Sequence, residues 1–241
     1  SNNSTYSPYL LANCPNLKTA RVTGAKVSDF MFYKCPKLEI LDLTPQIESL
    51  GNYACFDCPN LREVRMNNTN ETLKNLKSIG HQVFAFCPNL MEFCIEPSVE
   101  SVGRANFEGC KNINLIINNN TLSSKWSLSG IFGNNSIGKV TFGNEVKTIG
   151  AEAFAIQTGH TGIQTIEIGP NVTSIATSAF TNQKTETVII NSKSVLESPY
   201  SSVASNIPSI FGDQVKSYTI GGAATTIGYN AFNFSLAEAV V

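Results

Sequence analysis

The sequence predicts a solenoid of short repeated turns, with one strand of each turn joining a common parallel sheet. Three observations predict it. The stretches MFYKCPKLEILDL (31–43), ACFDCPNLREVRM (54–66) and VFAFCPNLMEFCI (83–95) are near copies of one another. Each closes on an alternating triplet, the period-two mark of a strand. No segment of ten or more residues with a 3.6-residue apolar period fits between the copies. One copy cannot bury its own apolar residues, whereas stacked copies cover each other.

Each element of the repeat has its own reason. An apolar anchor sits three residues before the Cys of the motif, at Leu11, Phe32, Cys55, Phe84, Phe107, Phe132, Phe154, Phe180, Phe211 and Phe232. Successive spacings run 21, 23, 29, 23, 25, 22, 26, 31 and 21, which makes about ten repeats of roughly 23 residues. An apolar-glycine pair precedes many anchors, as at Leu50-Gly51, Ile79-Gly80, Val102-Gly103, Ile149-Gly150 and Ile227-Gly228, and is read as a tight turn. Leu or Ile follows at +6 in the first half (Leu17, Leu38, Leu61, Leu90, Ile113). Prolines after the Cys or after the strand make the connections turns. The longer spacings come from polar insertions at 67–75, 157–162 and 192–206, read as surface loops.

The pattern (I/V)G-x-x-AF-x-x-C-x-x-L-x-x-(I/V)-x-(I/V) resembles the BspA-type leucine-rich repeat family. The resemblance runs from about Leu10 to Phe232 and is closest at VKTIGAEAF (146–154) and VTSIATSAF (172–180). It implies a right-handed leucine-rich repeat solenoid, with a parallel sheet on one face and turns and short 3-10 segments on the other. It further implies a non-catalytic domain, extracellular or at the cell surface, used for adhesion or recognition. The repeats are expected to form a single domain over 1–241, part of a longer chain. The family has no fixed catalytic or ligand-binding residues to carry over.

Composition narrows the function classes. Of the 241 residues 42% are hydrophobic, enough for a core, and only 15% are charged, against about 25% in ordinary soluble proteins. A net charge of −1 argues against a nucleic-acid partner, which needs a basic stripe. No apolar run approaches the ~20 residues of a membrane span. The polar opening SNNSTYS reads as a mature or trimmed start. There is no G-x-S-x-G and no H-E-x-x-H, and the scarce carboxylates fall at unrelated repeat positions, so no catalytic residue is assigned.

All seven cysteines lie between 14 and 110. Cys14, Cys35, Cys58, Cys87 and Cys110 share one repeat position and should stack as a column of buried thiols. Asn135, Gln157, Gln183 and Gln214 fill that position later in the chain. A disulfide between adjacent turns stays open at this point. Cys55-x-x-Cys58 reads as an anchor replacement beside a column member, not as a redox or zinc motif. His81 and His160 are far apart in sequence, and neither a metal nor a cofactor is assigned.

The remaining candidate is the outward row of the sheet: Arg21, Asp42, Arg65, Cys94, Ile116, Thr141, Glu167, Ile189 and Thr219. Except for Cys94, these are the candidate binding residues. Two residues upstream runs a parallel row, Thr19, Ile40, Glu63, Glu92, Asn114, Lys139, Thr165, Thr187 and Ser217. Arg21, Asp42 and Arg65 should be neighbours, either supporting each other at ~0.2–1 kcal/mol per pair or meeting a ligand. The expected partner is a protein or glycan of a host or microbial surface; the alternative is a structural spacer. Trp126 and Tyr200 are weaker candidates for stacking on sugar. Triplets such as Asn67-Asn68-Thr69 and Asn171-Val172-Thr173 are either turn composition or glycan acceptors. The apolar end FNFSLAEAVV is expected to pair with a second copy or to continue into further sequence.

Overall fold

The computed structural model describes residues 6–66, 73–121, 128–133, 137–156, 162–200, 205–212, 214–222, 224–233 and 235–241. Trp126, His160, Asn135, Gln157, most of the loops at 67–75 and 157–162, and the triplet at 67–69 lie outside the described residues. The chain divides into two compact units, Ser1–Leu115 with Gly130–Ile137, and Ile116–Ser129 with Gly138–Val241.

In the first unit each turn contributes two strands. The longer ones are β1 (Thr19–Val22), β3 (Ile40–Leu43), β5 (Glu63–Met66) and β7 (Glu92–Ile95). The shorter ones are β2 (Lys26–Val27), β4 (Ser49–Leu50), β6 (Ser78–Ile79) and β8 (Ser101–Val102). Strands β1, β3 and β5 form one parallel sheet, and β2, β4, β6 and β8 form a second. Strand β9 (Asn114–Ile117) and a 3-10 turn at Leu128–Ile131 follow. The second unit repeats the plan with β10 (Ile137–Phe142), β12 (Ile163–Ile168), β14 (Thr187–Ile190), β15 (Ser217–Ile220) and β16 (Ala239–Val240), joined in that order. Its narrow sheet is β11 (Thr148–Ile149) with β13 (Ser174–Ile175). This is the solenoid the repeats predict.

The anchors fill the core. Phe32, Phe84, Phe107 and Phe154 are fully buried, and Phe132, Phe180 and Phe211 nearly so; Phe232 is half-buried. Phe84 stacks on Phe107 at 6.0 Å, Phe154 on Phe180 at 5.5 Å, and Phe180 on Phe211 at 5.1 Å. Such pairs add about 0.5–1.5 kcal/mol beyond burial. The insertion at 192–206, expected to be a loop, holds the helix α1 (Lys193–Glu197), capped by Ser192, whose hydroxyl accepts the Val195 N–H at 3.0 Å. Phe211 comes from a second short helix, α2 (Ile207–Phe211), yet still lands in the aromatic stack.

The side of the turn that carries the anchors is hydrogen-bonded as regularly as the sheet. Residues two before the anchor, at the anchor and two after it donate their N–H groups to the next turn. Leu11 bonds to the Met31 carbonyl at 3.0 Å, Phe32 to Ala54 at 2.7 Å, Lys34 to Phe56 at 2.8 Å, and Cys55 to Val83 at 2.9 Å. This alignment needs left-handed backbone at the −2 and +2 positions. Tyr9, Asn13, Phe30, Lys34, Tyr53, Asp57, Gln82, Phe86 and Ala105 all have φ between 51° and 60°. For non-glycine residues this conformation is uncommon, and the inter-turn bonds hold it in place.

The glycines of the apolar-glycine pairs serve close approach between turns, not positive φ. A Cβ on Gly80 would lie 2.7 Å from the Asn52 nitrogen, and one on Gly103 2.7 Å from the His81 nitrogen. The adjacent residues then form a second side-chain ladder: the Asn52 N–H bonds to Asp29 Oδ1 at 3.1 Å, His81 N–H to Asn52 Oδ1 at 2.8 Å, and Arg104 N–H to His81 Nδ1 at 3.0 Å.

Candidate binding face on the main sheet

The register of the sheet brings the expected rows together. Arg21 lies opposite Asp42 and Asp42 opposite Arg65; Glu167 lies opposite Ile189 and Ile189 opposite Thr219. Thr19, Ile40 and Glu63 align in the upstream row, as do Thr165, Thr187 and Ser217.

Exposure separates these residues. Arg21 and Thr219 are exposed, and Arg65, Ile116, Thr141, Glu167 and Ile189 are half-buried. Asp42, read as outward, is only 2% exposed. Its carboxylate takes Arg21 Nη1 at 2.8 Å and has Arg65 Nε at 3.7 Å, so two guanidinium groups cover it. Arg65 also reaches Glu63 at 3.5 Å. The charge ladder of the first unit is therefore a mutually supporting network, with a buried carboxylate at its centre.

Glu167 plays the equivalent part in the second unit. It meets Lys139 Nζ at 2.6 Å and accepts Asn191 Nδ2 at 2.8 Å and Thr141 Oγ1 at 3.3 Å. Burial pushes its carboxyl upward, but Lys139, Asn191 and Thr141 outweigh that and hold it below the ordinary carboxylate range. The side chains that the face leaves most open are Thr19, Arg21, Glu92 and Thr219.

Behind the face lies the thiol column. Cys35, Cys58, Cys87 and Cys110 are buried, and all seven cysteines are free thiols. Each of the four donates its Sγ–H to the backbone carbonyl of the preceding anchor: Leu11, Phe32, Cys55 and Phe84, every one at 3.1 Å. Burial pushes Cys35 up to about 11 and Cys110 up to about 12, and raises Cys55 and Cys87 too. These are inert thiols. Gln183 takes over the same task, donating Nε2 to the Phe154 carbonyl at 2.5 Å and accepting the Ile163 N–H at 2.8 Å. Gln214 does not join the column; it is exposed beyond α2. Cys94, on the sheet face, donates to Glu96 Oε1 at 3.1 Å.

A profile of the BspA type leucine rich repeat region matches six copies, over residues 1–76, 77–207 and 129–239. The chain belongs to the BspA-type leucine-rich repeat family. Solved structures similar to this BspA-type domain include a leucine-rich repeat protein of T. pallidum, at 18% identity over 62% of this chain and 72% of that one, with a TM-score of 0.44. The pneumococcal vaccine antigen PcpA is 13% identical over 82% of this chain and 66% of that one, with a TM-score of 0.36. A leucine-rich cell surface protein of Faecalibacterium prausnitzii is 15% identical over 91% of this chain and 68% of that one, with a TM-score of 0.33. No curated protein matches the sequence.

Among the described residues of the BspA-type domain, no group of three or more His, Cys, Asp and Glu is placed to hold a metal ion. No described helix is long and apolar enough to cross a membrane. Tyr200, a candidate for stacking on sugar, is half-buried, and its hydroxyl donates to the Val195 carbonyl at 2.9 Å. Burial pushes that hydroxyl up to about 12. It holds α1 and is not displayed. Sequence reasoning missed one feature: six aromatic rings on the turn side of the first unit, with Tyr9 and Phe86 exposed and Phe30, Tyr33, Tyr53 and Phe56 half-buried. The signal was legible, because Tyr9, Phe30, Tyr33, Tyr53 and Phe56 all sit at −2 or +1 from an anchor.

Proposed function

We propose that this chain is a non-catalytic recognition domain of a cell-surface or secreted protein, with the main sheet as its binding face. The observation that carries the reading is the contrast between constant inside and variable outside. Positions such as Leu41, Leu43, Ile166 and Ile168 are fully buried and always apolar, while the aligned outward positions change from charge to hydroxyl to aliphatic group. Solenoids use such surfaces for binding. The partner is a protein or glycan of a host or microbial surface.

Asp42 and Glu167 hold the face together and are poor probes of binding, because removing either leaves cations unpaired. The exposed residues test the reading. The chain is screened against immobilised extracellular-matrix proteins and a glycan array, alongside Thr19→Ala/Glu92→Ala and Thr219→Ala variants. A saturable partner that loses at least tenfold in affinity on these changes is the expected result. A partner untouched by all of them moves the site off the sheet. The spacer reading gains if no protein or glycan binds. Self-association through the last turn, where Tyr229, Leu236 and Val241 are exposed, predicts a sedimentation coefficient that rises with concentration.

A further inference from the structure

The narrow sheet of the second unit stops at β13, and the helix that follows it leaves two backbone carbonyls unmet. Within both narrow sheets, carbonyls of one turn accept amides from the next. Ala25 takes the Glu48 N–H and Val27 the Gly51 N–H, both at 2.8 Å. Lys147 takes the Thr173 N–H at 2.8 Å and Ile149 the Ala176 N–H at 2.9 Å. After β13 the pattern breaks. Helix α1 stands on the following rung, because the Leu196 carbonyl accepts the Gly228 N–H at 2.8 Å as Ile149 accepts that of Ala176. A helix aims its amides along its own axis, however. The Val195 N–H bonds to Ser192 Oγ at 3.0 Å, and the Leu196 N–H bonds to the Ser192 carbonyl at 3.2 Å. Among the described residues nothing donates to the Thr173 or Ile175 carbonyl.

Those carbonyls point towards α1, and between β13 and α1 lies a pocket of about 180 Å³. Ser174 and Ile175 of β13 form one wall, Ser194, Val195 and Ser198 of α1 and its C-cap form another, and Ile210 of α2 lies against them. Among the described residues the Ser194 and Ser198 hydroxyls make no hydrogen bond. No charged side chain lines the pocket. The two charges of α1 are engaged elsewhere: Lys193 Nζ lies 3.8 Å from Glu197, and Glu197 Oε1 accepts the Thr225 N–H at 2.8 Å. A carbonyl left open in such a recess calls for a donor from outside the fold.

We propose that this pocket takes one neutral sugar ring, the terminal unit of a glycan. Charge is the first argument. A phosphate, sulfate or carboxylate group needs a cation beside it, and a metal ion needs carboxylates or converging oxygens; the pocket supplies neither. Polarity is the second. The two carbonyls ask for donors, while the serine hydroxyls give or accept, and sugar hydroxyls answer both senses. Ile175, Val195 and Ile210 offer apolar surface to the C–H groups of the ring. Size is the third. The volume lies below the roughly 300–1,000 Å³ of sites for drug-sized molecules, so one ring enters and a second stays outside. An extended peptide is excluded, because α1 already stands on the rung where its strand would pair. The first unit has no counterpart, since β2, β4, β6 and β8 pair without a helix between them.

The proposal does not rest on the main-sheet face, and its test separates the two. Glucose, galactose, mannose and N-acetylglucosamine are titrated into the full chain by saturation-transfer NMR, with glucuronate and a glucose phosphate as charged controls. At least one neutral sugar is expected to bind with one-to-one stoichiometry and a Kd of about 1–10 mM, as suits a single small ring. The charged controls should bind at least tenfold more weakly. Ser194→Leu, which fills the pocket from an exposed position of α1, should weaken binding at least tenfold. Ser174→Leu should do the same from β13, and decides the matter if the first variant loses its far-UV circular dichroism. Thr19→Ala/Glu92→Ala, on the main sheet, should leave binding unchanged. Absence of binding by every neutral sugar at tenfold higher concentration overturns the proposal and leaves the carbonyls to water. So does binding that survives both leucine variants, or tighter binding of a charged control.

Discussion

The two units solve one packing problem with different side chains. In the first, the anchor carbonyl of each turn is met by a thiol, at Cys35, Cys58, Cys87 and Cys110. In the second, Gln183 meets it with an amide and takes an N–H in return. Where the column forms, the position supplies a hydrogen-bond donor that fits a buried gap, and sulfur is only one way to do so. The units differ in the same sense at their sheet centres. Asp42 is held between two guanidinium groups, whereas Glu167 is held by one ammonium, one amide and one hydroxyl.

The largest effect should come where the units agree. Phe107→Ala and Phe154→Ala each remove a fully buried anchor, and each should cost about 3–5 kcal/mol in urea unfolding. Losses that differ widely would show that the aromatic column matters to only one unit. Next comes the donor position. Gln183→Leu strips partners from the Phe154 carbonyl and the Ile163 N–H, at about 1–3 kcal/mol for each buried group. Cys87→Ser keeps a donor and should cost less, near ~1 kcal/mol. If the serine variant is the weaker of the two, the column depends on sulfur packing and not on its hydrogen bond.

pH sharpens the contrast further. Unfolded thiols ionise near ~8.5, while burial holds Cys35 up to about 11 and Cys110 up to about 12. Their contribution is complete below the unfolded value and is lost as pH climbs through the folded ones. The urea midpoint should therefore fall from pH 8.5 upward, and less so in a variant with Cys35, Cys87 and Cys110 all changed to Ser. Glu167 works in the opposite direction. Its folded value is lowered, so its contribution is present above the unfolded ~4.3 and lost as pH falls through the folded value. Lys139→Met should weaken that acid-side dependence, with a cost at neutral pH below about 1 kcal/mol. An unchanged acid limb in that variant would assign the dependence to other carboxylates.

Much of this was legible in the sequence because the repeat writes its core in one code. The anchors, the strand triplets and the register of Arg21 with Asp42 and Arg65 all follow from spacing. What spacing conceals is the side of a residue that faces its neighbours in the next turn. Asp42 alternates as an outward residue should, yet two long arginines fold over it. The left-handed positions were equally hidden: Asn13, Asn182 and Asn230 advertise them, but Phe30, Lys34 and Glu152 do not. Their backbone is set by bonds to the next turn, a tertiary effect that overrides local preference. The helix α1 was missed because five residues are too few for a period to register.

The turn-side bonding has an evolutionary corollary. The four seams between Leu11 and Phe107 are made by the same transaction: a thiol reaching back to one anchor and anchor amides reaching forward to the next. A gene that gains or loses one whole repeat leaves each surviving seam chemically unchanged, because any turn can greet any other. Half a repeat would set an anchor against a strand and break two seams at once. Such a chain can be cut to length for a new partner only in whole turns.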